Sequence, residues 1–188
     1  MTTTTHSELI IPRGHAQGEL ALTERPRAVV VLAQLHTRGL RDEVAVLTRR
    51  LVEAVDRLRS EPSTAELPVG VLGLGFGAAP ALRAAVERPD RVGAVVACDG
   101  RPDLAADPLS GLLVPVLLIG GEGTPGAAMN ERAARRLPAT ALTRVRDVSR
   151  VYLEREGLED VLALATDWFG RCLGSEREES GVDVDAVR

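Results

Sequence analysis

Aromatic residues and lysine are scarce in this sequence of 188 residues. Aromatics make up 2% of it, so no surface can offer the series of stacking rings on which single-stranded nucleic acids bind. All 23 basic residues are arginine, and with 27 acidic residues they give a formal net charge of -4. Because the two signs are interspersed, neither a basic nucleic-acid face nor an acidic tail dominates. We therefore expect no nucleic-acid partner.

Disulfide frameworks and membrane spans are also missing from the sequence. Cys98 and Cys172 are too few for a framework, and Cys98 ends an apolar run, which is typical of a small buried side chain. No apolar stretch approaches the roughly 20 residues of a membrane-spanning helix. Residues 1–6 have neither the basic nor the apolar region of a secretory signal. These absences predict a cytoplasmic protein with no membrane partner.

What the sequence does contain is enough apolar material for one domain. Apolar residues make up 45% of the chain, mostly Val, Leu, Ala and Ile. A domain of this length buries roughly 70% of its unfolded surface, so its core can be self-sufficient. We expect the domain to span residues 8–173. Residues 1–7 and the tail at 174–188, which opens with a charged run at 175–180, are expected to be disordered.

Strand and helix patterns alternate along the chain. Continuous apolar or alternating runs predict strands at 8–11, 17–22, 28–35, 69–74, 92–98, 114–119 and 141–145. Apolar residues at helical spacing predict helices at about 40–59, 77–87, 124–137 and 158–172. Alternation with short turns predicts an α/β fold, a mostly parallel sheet covered by helices on both faces.

The segment at 69–82 predicts a strand, a tight glycine turn and a helix. Hydrolases of the α/β class hold their nucleophilic serine in such a turn, in the pattern G-x-S-x-G, where strain exposes the hydroxyl above the sheet. Here the five residues are Gly73-Leu-Gly-Phe-Gly77, so Gly75 stands at the serine position. Glycine has no side chain to attack a carbonyl. The pattern therefore predicts the architecture of a hydrolase without its reaction.

Other motifs accompany this turn. They are the Ala78-Ala79 helix start, Arg88-Pro-Asp-Arg-Val-Gly-Ala-Val-Val96, Gly100-Arg-Pro-Asp-Leu104, Val114-Pro-Val-Leu-Leu-Ile-Gly-Gly121 and Asp167-Trp-Phe169. With Gly73 and Gly77, they make the chain resemble the small dienelactone-hydrolase-like branch of the α/β-hydrolases over roughly residues 8–173. Relatives in that branch usually place a further helix and strand after the third strand. Here Leu35 is followed almost at once by a helix, so we expect a reduced fold with one strand-helix unit deleted.

The resemblance implies a Ser-His-Asp triad, and the sequence departs from it at each position. The serine position is Gly75, the acid position falls at or next to Gly123, and Arg150 stands where the histidine is expected. The His-Gly that relatives place near the oxyanion hole is Gln34-Leu35 here. We therefore expect no catalytic residue for hydrolysis.

Several residues are candidates for lining the pocket that such a triad would have occupied. They are Gln34, His36, Gly75, Phe76, Asp99, Glu122, Arg150 and Tyr152. His36, Asp99 and Glu122 follow strands at the carboxyl edge, where α/β sheets bind ligands. They are candidates for an acid-base cluster or a metal site, although solvated loop residues are the simpler interpretation, and we predict no metal and no cofactor. Phe76 and Tyr152 either line a pocket for an apolar ligand or fill it.

Three functions remain open from the sequence. The first is a catalytically degenerate hydrolase-like module that binds a small apolar or acidic ligand or a partner protein. The second is an enzyme that uses the same pocket for a lyase, isomerase or cyclase reaction. The third is a hydrolase with a relocated nucleophile, Cys98 or Ser149. The glycine turn also imitates a dinucleotide fingerprint with Asp99 as the ribose acceptor, but its third glycine is offset, so we expect no such binding.

A homodimer is expected from the deletion. If a central strand is missing, the strand at 28–35 either takes the strand at 17–22 as its neighbour or presents an unpaired edge. An exposed apolar edge is usually covered or paired, and two-fold pairing is the commonest way of doing so.

Overall fold

The computed structural model describes residues 4–10, 17–23, 26–35, 41–105, 107–121, 123–138, 143–148 and 155–174. Within them the strands are β1 Thr4–Ile10, β2 Gln17–Thr23, β3 Val29–Leu35, β4 Val69–Gly75, β5 Val92–Cys98, β6 Val116–Gly121 and β7 Thr143–Val148. The α-helices are α1 Arg41–Ser60, α2 Ala78–Glu87, α3 Pro125–Ala134 and α4 Arg155–Leu173. Two short 3₁₀ turns that the sequence analysis missed, Pro102–Ala105 and Asp107–Gly111, follow β5.

The described strands form two separate sheets. β1 and β2 pair antiparallel as a hairpin, from Thr4 opposite Thr23 to Ile10 opposite Gln17. β3 to β7 form a parallel sheet in which neighbours follow chain order, hereafter the main sheet. Parallel neighbours need crossover connections, and α1, α2 and α3 supply three of them. The predicted α/β class with a parallel sheet is confirmed.

Helices cover both faces of the main sheet, as predicted. Right-handed crossovers that all step in one direction leave their helices on one face, so α1, α2 and α3 lie together. On that face Val71, Val95, Val116 and Leu118 are fully buried under a helix layer that includes Leu58 and Leu82. α4 covers the other face, where Trp168, Phe169 and Leu173 pack on the strands. β4, β5 and β6 are continuous apolar runs because both of their faces are buried.

β3 is the edge strand of the main sheet and is only partly covered. Its backbone pairs with β4 from Val29 opposite Val69 to Leu35 opposite Gly75, and β2 pairs with β1 rather than with β3 in the described residues. The side chains of Val30 and Leu32 are 45% and 55% exposed. The sheet is thus reduced, as expected, and among the described strands β3 pairs with β4 alone and does not take β2 as a neighbour.

A groove of about 440 Å³ runs between β3 and α4. Its lining is mostly apolar and includes Ala28, Val30, Leu72, Leu162, Phe169 and Gly174, with Arg27 among the lining residues. We call it the β3–α4 groove. It lies where α4, which covers the middle of the sheet, leaves the face of the edge strand open.

Several element boundaries differ from the sequence-based expectation, among them the start of β1, which lies at Thr4 rather than at residue 8 because Thr4 to Ile10 pairs with β2. β7 extends to Val148, three residues past the predicted end, because it pairs with β6 as far as Gly121 although charged residues interrupt its apolar pattern. α4 begins at Arg155, one turn before its first apolar residue at Leu158. No α-helix in the described ranges is long and apolar enough to cross a membrane.

Candidate functional site at the carboxyl edge of the sheet

The turn between β4 and α2 has the geometry of a nucleophile elbow. β4 ends at Gly75, Gly77 is the N-cap, and α2 begins at Ala78. Gly75 has φ of 56°, in the left-handed region that costs residues with a Cβ atom energy. The Gly77 N–H donates to the Leu74 carbonyl over 2.9 Å, which closes the turn. The chain therefore keeps the sharp strand-to-helix turn of a hydrolase with a glycine at its apex.

Gly73 and Gly77 let the helix approach the sheet closely. A Cβ atom on Gly77 would overlap the carbonyl oxygen of Ala33 in β3, and one on Gly73 would overlap the carbonyl oxygen of Gly77. The first residues of α2, Ala78 and Ala79, are accordingly buried. The outer glycines of the motif are thus explained by packing, whereas Gly75 is explained by its backbone conformation.

Asp99 follows β5 at the same edge and is also in the left-handed region, with φ of 46°. Its N–H donates to the Ile119 carbonyl over 2.8 Å. Its carboxylate accepts a hydrogen bond from the Gly121 N–H and lies against the first turn of α3, where a Cβ atom on Gly126 would come within 2.6 Å of Oδ1. A carboxylate is favourable at a helix N-terminus. Asp99 therefore connects the ends of β5 and β6 to α3.

Burial raises the pKa of the Asp99 carboxyl above its ordinary value of 3.8, and the hydrogen bond from Gly121 opposes that rise. A partly desolvated carboxyl of this kind is a common proton donor or acceptor in active sites. Strained backbone at a non-glycine residue also clusters at functional sites. Asp99 is thus a carboxylate at this edge whose pKa and backbone conformation are both altered by its surroundings.

Gly75 and Asp99 belong to loops that touch. Leu74 is opposite Cys98 in the β4–β5 register, so the two strands end side by side. A Cβ atom on Gly100 would overlap the carbonyl oxygen of Gly75, which shows how closely the loop after β5 packs on the elbow. Gly123, with φ of 71° and open space around it, lies in the turn after β6, just before the N-cap Thr124. The structure therefore brings Gly75, Asp99 and Gly123 to the same edge.

The remaining predicted pocket residues are placed as follows. Phe76 comes directly after Gly75 and is half-buried. Gln34 lies in β3, one residue before its end, and its side chain is outside the description. His36, Glu122, Arg150 and Tyr152 lie outside the described residues, so the predicted cluster of His36, Asp99 and Glu122 stays a prediction. Across the described ranges, no group of three or more His, Cys, Asp or Glu residues could hold a metal ion.

Cys98 is a poor candidate for a relocated nucleophile. It lies at the end of β5 with 1% of its surface exposed. Burial, reinforced by the charge of Asp99, raises the pKa of its thiol to about 12. Since the thiolate is the reactive form, such a thiol is inert near neutral pH. Ser149, the other candidate, lies outside the described residues.

The sequence analysis missed the role of the segment after β6 in holding Asp99. Gly121 donates to its carboxylate and Gly126 leaves room for it. The sequence does show Gly121 and Gly126 on either side of the Thr124-Pro125 helix start. Only the register of β5 against β6, however, shows that Asp99 faces this segment.

Several solved structures resemble this chain in fold. The chain is similar to a dienelactone hydrolase from Anabaena variabilis, with a TM-score of 0.81 and 29% sequence identity over 92% of this chain and 99% of that one. The chain has an α/β-hydrolase fold. It is also similar to a dienelactone-hydrolase-like promiscuous phosphotriesterase from metagenomic libraries, with a TM-score of 0.67 and 15% identity over 92% of this chain and 99% of that one. At that identity the likeness concerns the fold alone.

The curated relatives found by sequence comparison are not named as hydrolases. No family model matches the chain. It is 40% identical over 129 residues, 68% of its length, to a Mycobacterium tuberculosis protein named "Putative phosphoribosyl transferase", found in two strains. The matched segment is 29% of that protein, so the chain spans less than a third of the curated relatives it matches.

Proposed function

We propose that this protein is a hydrolase-fold module that binds a small molecule at the elbow edge and does not carry out serine hydrolysis. The observation that carries the proposal is Gly75, which holds the elbow in its left-handed conformation with no side chain to attack a carbonyl. A serine hydrolase needs the hydroxyl, a base and an orienting acid. An elbow turn with glycine at its apex supports a role that uses the shape of the edge rather than a nucleophile.

The shape of that edge suits an apolar or acidic ligand. Phe76 is half-buried beside the elbow, and the N-terminus of α2 points backbone N–H groups toward the same edge. A Cβ atom on Gly123, in the turn after β6, would meet no described atom within 4 Å. An aromatic side chain with nearby backbone donors is the usual composition of a small-molecule site.

A second candidate function is a non-hydrolytic reaction with Asp99 as the acid or base. The specific observation in its favour is that Asp99 combines a raised pKa with a left-handed backbone next to Gly75. A lyase or isomerase step requires a proton donor or acceptor of altered pKa near the bound substrate. Asp99 is the described residue that meets this requirement.

The mycobacterial relative suggests one ligand class to test. Its name refers to phosphoribosyl transfer, and more than two thirds of that protein lies outside the matched segment. We therefore propose a phosphoribosyl compound as a ligand of this fold rather than transferase activity for this chain. Phosphate groups bind readily at helix N-termini, and that of α2 forms the elbow.

Binding at the edge is measurable by amide NMR. ¹⁵N-labelled protein is titrated with 5-phosphoribosyl 1-pyrophosphate, benzoate and NAD, and saturable shifts are expected at Gly75, Phe76 and Asp99 with one of the first two. Phe76→Ala should weaken that binding, whereas Leu113→Ala, which truncates a side chain 65% exposed elsewhere, should not. Absence of saturable shifts at the elbow with the first two compounds would count against the binding proposal. Saturation by NAD, lost in Asp99→Ala, would favour the dinucleotide interpretation instead.

A further inference from the structure

We propose that two copies of this chain exchange their β1–β2 hairpins, so that β2 of one copy pairs antiparallel with β3 of the other and extends its main sheet. The observation that carries the proposal is the pairing of the described strands, in which the hairpin pairs only within itself and β3 pairs only with β4. A two-stranded hairpin is marginally stable alone in water. Each chain thus has both a hairpin that needs a neighbour and a sheet edge that can provide one.

β3 has the properties of a strand that is paired in the assembled protein. Its sequence, VVVLAQL, contains no charge, proline or glycine that would discourage pairing. The side chains of Val30 and Leu32 are 45% and 55% exposed, and Val30 lines the apolar β3–α4 groove. The Val29 N–H donates to the Pro68 carbonyl, toward β4. Because N–H groups alternate along a strand, those of Val30 and Leu32 point to the other edge, where a further strand would bind them.

The hairpin matches this edge in length and in its position along the chain. β1, β2 and β3 each have 7 residues, so β2 can pair with β3 over its whole length. β2 also comes directly before β3 in the chain, and a short link between consecutive strands is the usual connection of antiparallel neighbours. Exchange makes this same contact between two chains instead of within one.

The link between β2 and β3 favours exchange over pairing within one chain. It consists of residues 24–28. Ala28 packs against the α4 cluster that includes Phe169, and Arg27 lines the β3–α4 groove, so the link is held at its β3 end. Pro26 has a fixed φ, which limits the turns that the remaining residues can make. A short link of this kind is strained when it folds back on its own chain, and strained hinges favour domain swapping.

Exchange also gives an interface of the size that a stable dimer needs. Specific interfaces use about 20–30 residues from each partner. Each copy would contribute both strands of its hairpin and its own β3, each of 7 residues. The arrangement is two-fold and closes on itself, so assembly stops at the dimer. Direct pairing of β3 with β3 would use a single strand from each copy and would leave both hairpins without a neighbour.

Two variants that each lack one half of the contact test the proposal. A chain without residues 1–23 keeps β3 but has no hairpin to donate. Val30→Pro keeps the hairpin and removes an N–H that points to the open edge, a change that an edge strand tolerates. By light scattering coupled to size exclusion, we expect about twice the chain mass of 20.0 kDa for the full chain and a monomer for each variant alone. Val30→Ala is the matched control, since it keeps the N–H and should remain a dimer.

Mixing the two variants separates exchange from other modes of association. In native mass spectrometry, the equimolar mixture should form a one-to-one heterodimer, because the hairpin of Val30→Pro can pair with β3 of the truncated chain. Circular dichroism of each variant alone establishes that both are folded before mixing. A dimer that persists without residues 1–23, as direct β3–β3 pairing predicts, would overturn the proposal. A mixture of folded variants that stays monomeric would overturn it as well.

A longer hinge tests the same proposal in a chain that keeps both halves of the contact. Four glycines inserted between residues 25 and 26 should let β2 turn back onto β3 of its own chain. We expect the dissociation constant of the dimer to rise at least about tenfold, since relief of hinge strain favours the closed monomer. In that monomer the amides of Val30 and Leu32 should remain protected from hydrogen exchange. An unchanged dissociation constant, or a monomeric full chain across a dilution series before any insertion, would contradict exchange.

Discussion

Replacing Gly75 with serine places a hydroxyl at the apex of the elbow and tests the proposal that this site does not carry out serine hydrolysis. Gly75 has φ of 56°, and a residue with a Cβ atom pays about 1–2 kcal/mol in that conformation. For a chain of this size that corresponds to a fall in Tm of about 2–8 °C, so the Gly75→Ser protein should still fold. Its hydroxyl would be presented above the sheet as in a hydrolase. An unactivated serine is nevertheless a weak nucleophile at neutral pH, so we expect no acyl-enzyme.

Gly75→Ala is the matched control, since it carries the same Cβ atom and strain without the hydroxyl. Both variants should show the same fall in Tm in a thermal melt. Neither should turn over p-nitrophenyl acetate above the level of the wild type or gain mass with a fluorophosphonate probe. Stoichiometric labelling of Gly75→Ser, but not of Gly75→Ala, would show that an activating base survives at the elbow and refute the reasoning. Unchanged Tm in both variants would refute the assigned backbone strain.

Three other predictions follow from contacts near the site. Gly77→Ala should lose about 1–3 kcal/mol in urea unfolding because its Cβ atom overlaps the Ala33 carbonyl, whereas Gly170→Ala, with open space in α4, should be neutral or stabilising. The pKa of Asp99 is raised by burial, so the folded state holds that proton more tightly than the unfolded state does. The wild type should therefore lose stability relative to Asp99→Asn as the pH rises from 3.8 through the raised pKa. A constant difference in Tm between the two proteins across thermal melts from pH 3 to 7 would contradict this. Under native conditions Ellman's reagent should modify Cys172 more slowly than a free cysteine, because burial raises the pKa of its thiol. The same reagent should not modify Cys98. Modification of both thiols at equal rates would contradict the burial of Cys98.

The main sheet was predictable because its central strands are apolar on both faces. Continuous runs such as VGAVVAC in β5 have few alternatives to a buried strand, and α1 shows a clear helical period. The end of β7 was predicted three residues too early because Arg146 and Asp147 interrupt its apolar pattern. The hairpin was predicted as two strands, but its separation from β3 depends on which long-range pairing forms, and periodicity does not specify that.

The sequence predicted that Gly75 and Asp99 lie at the same edge of the sheet, but not the contacts that they make there. Gly75 was identified from its spacing within the glycine motif, and the elbow conformation followed from it. The contact of Asp99 with Gly121 and α3 could not be anticipated, because it depends on the register between β5 and β6 and on a left-handed aspartate. Glycine, asparagine and aspartate all occur in that region, so local propensity alone does not specify the conformation of Asp99.

The central proposal is that this protein does not carry out serine hydrolysis at the elbow. The most direct measurement is the intact mass of the unmodified full chain after incubation with a fluorophosphonate probe, beside an active esterase as positive control. The account predicts that the esterase gains one probe mass while this protein gains none at pH 7 to 9. A stoichiometric adduct on any serine of this chain, blocked by prior incubation with a substrate ester, would contradict it.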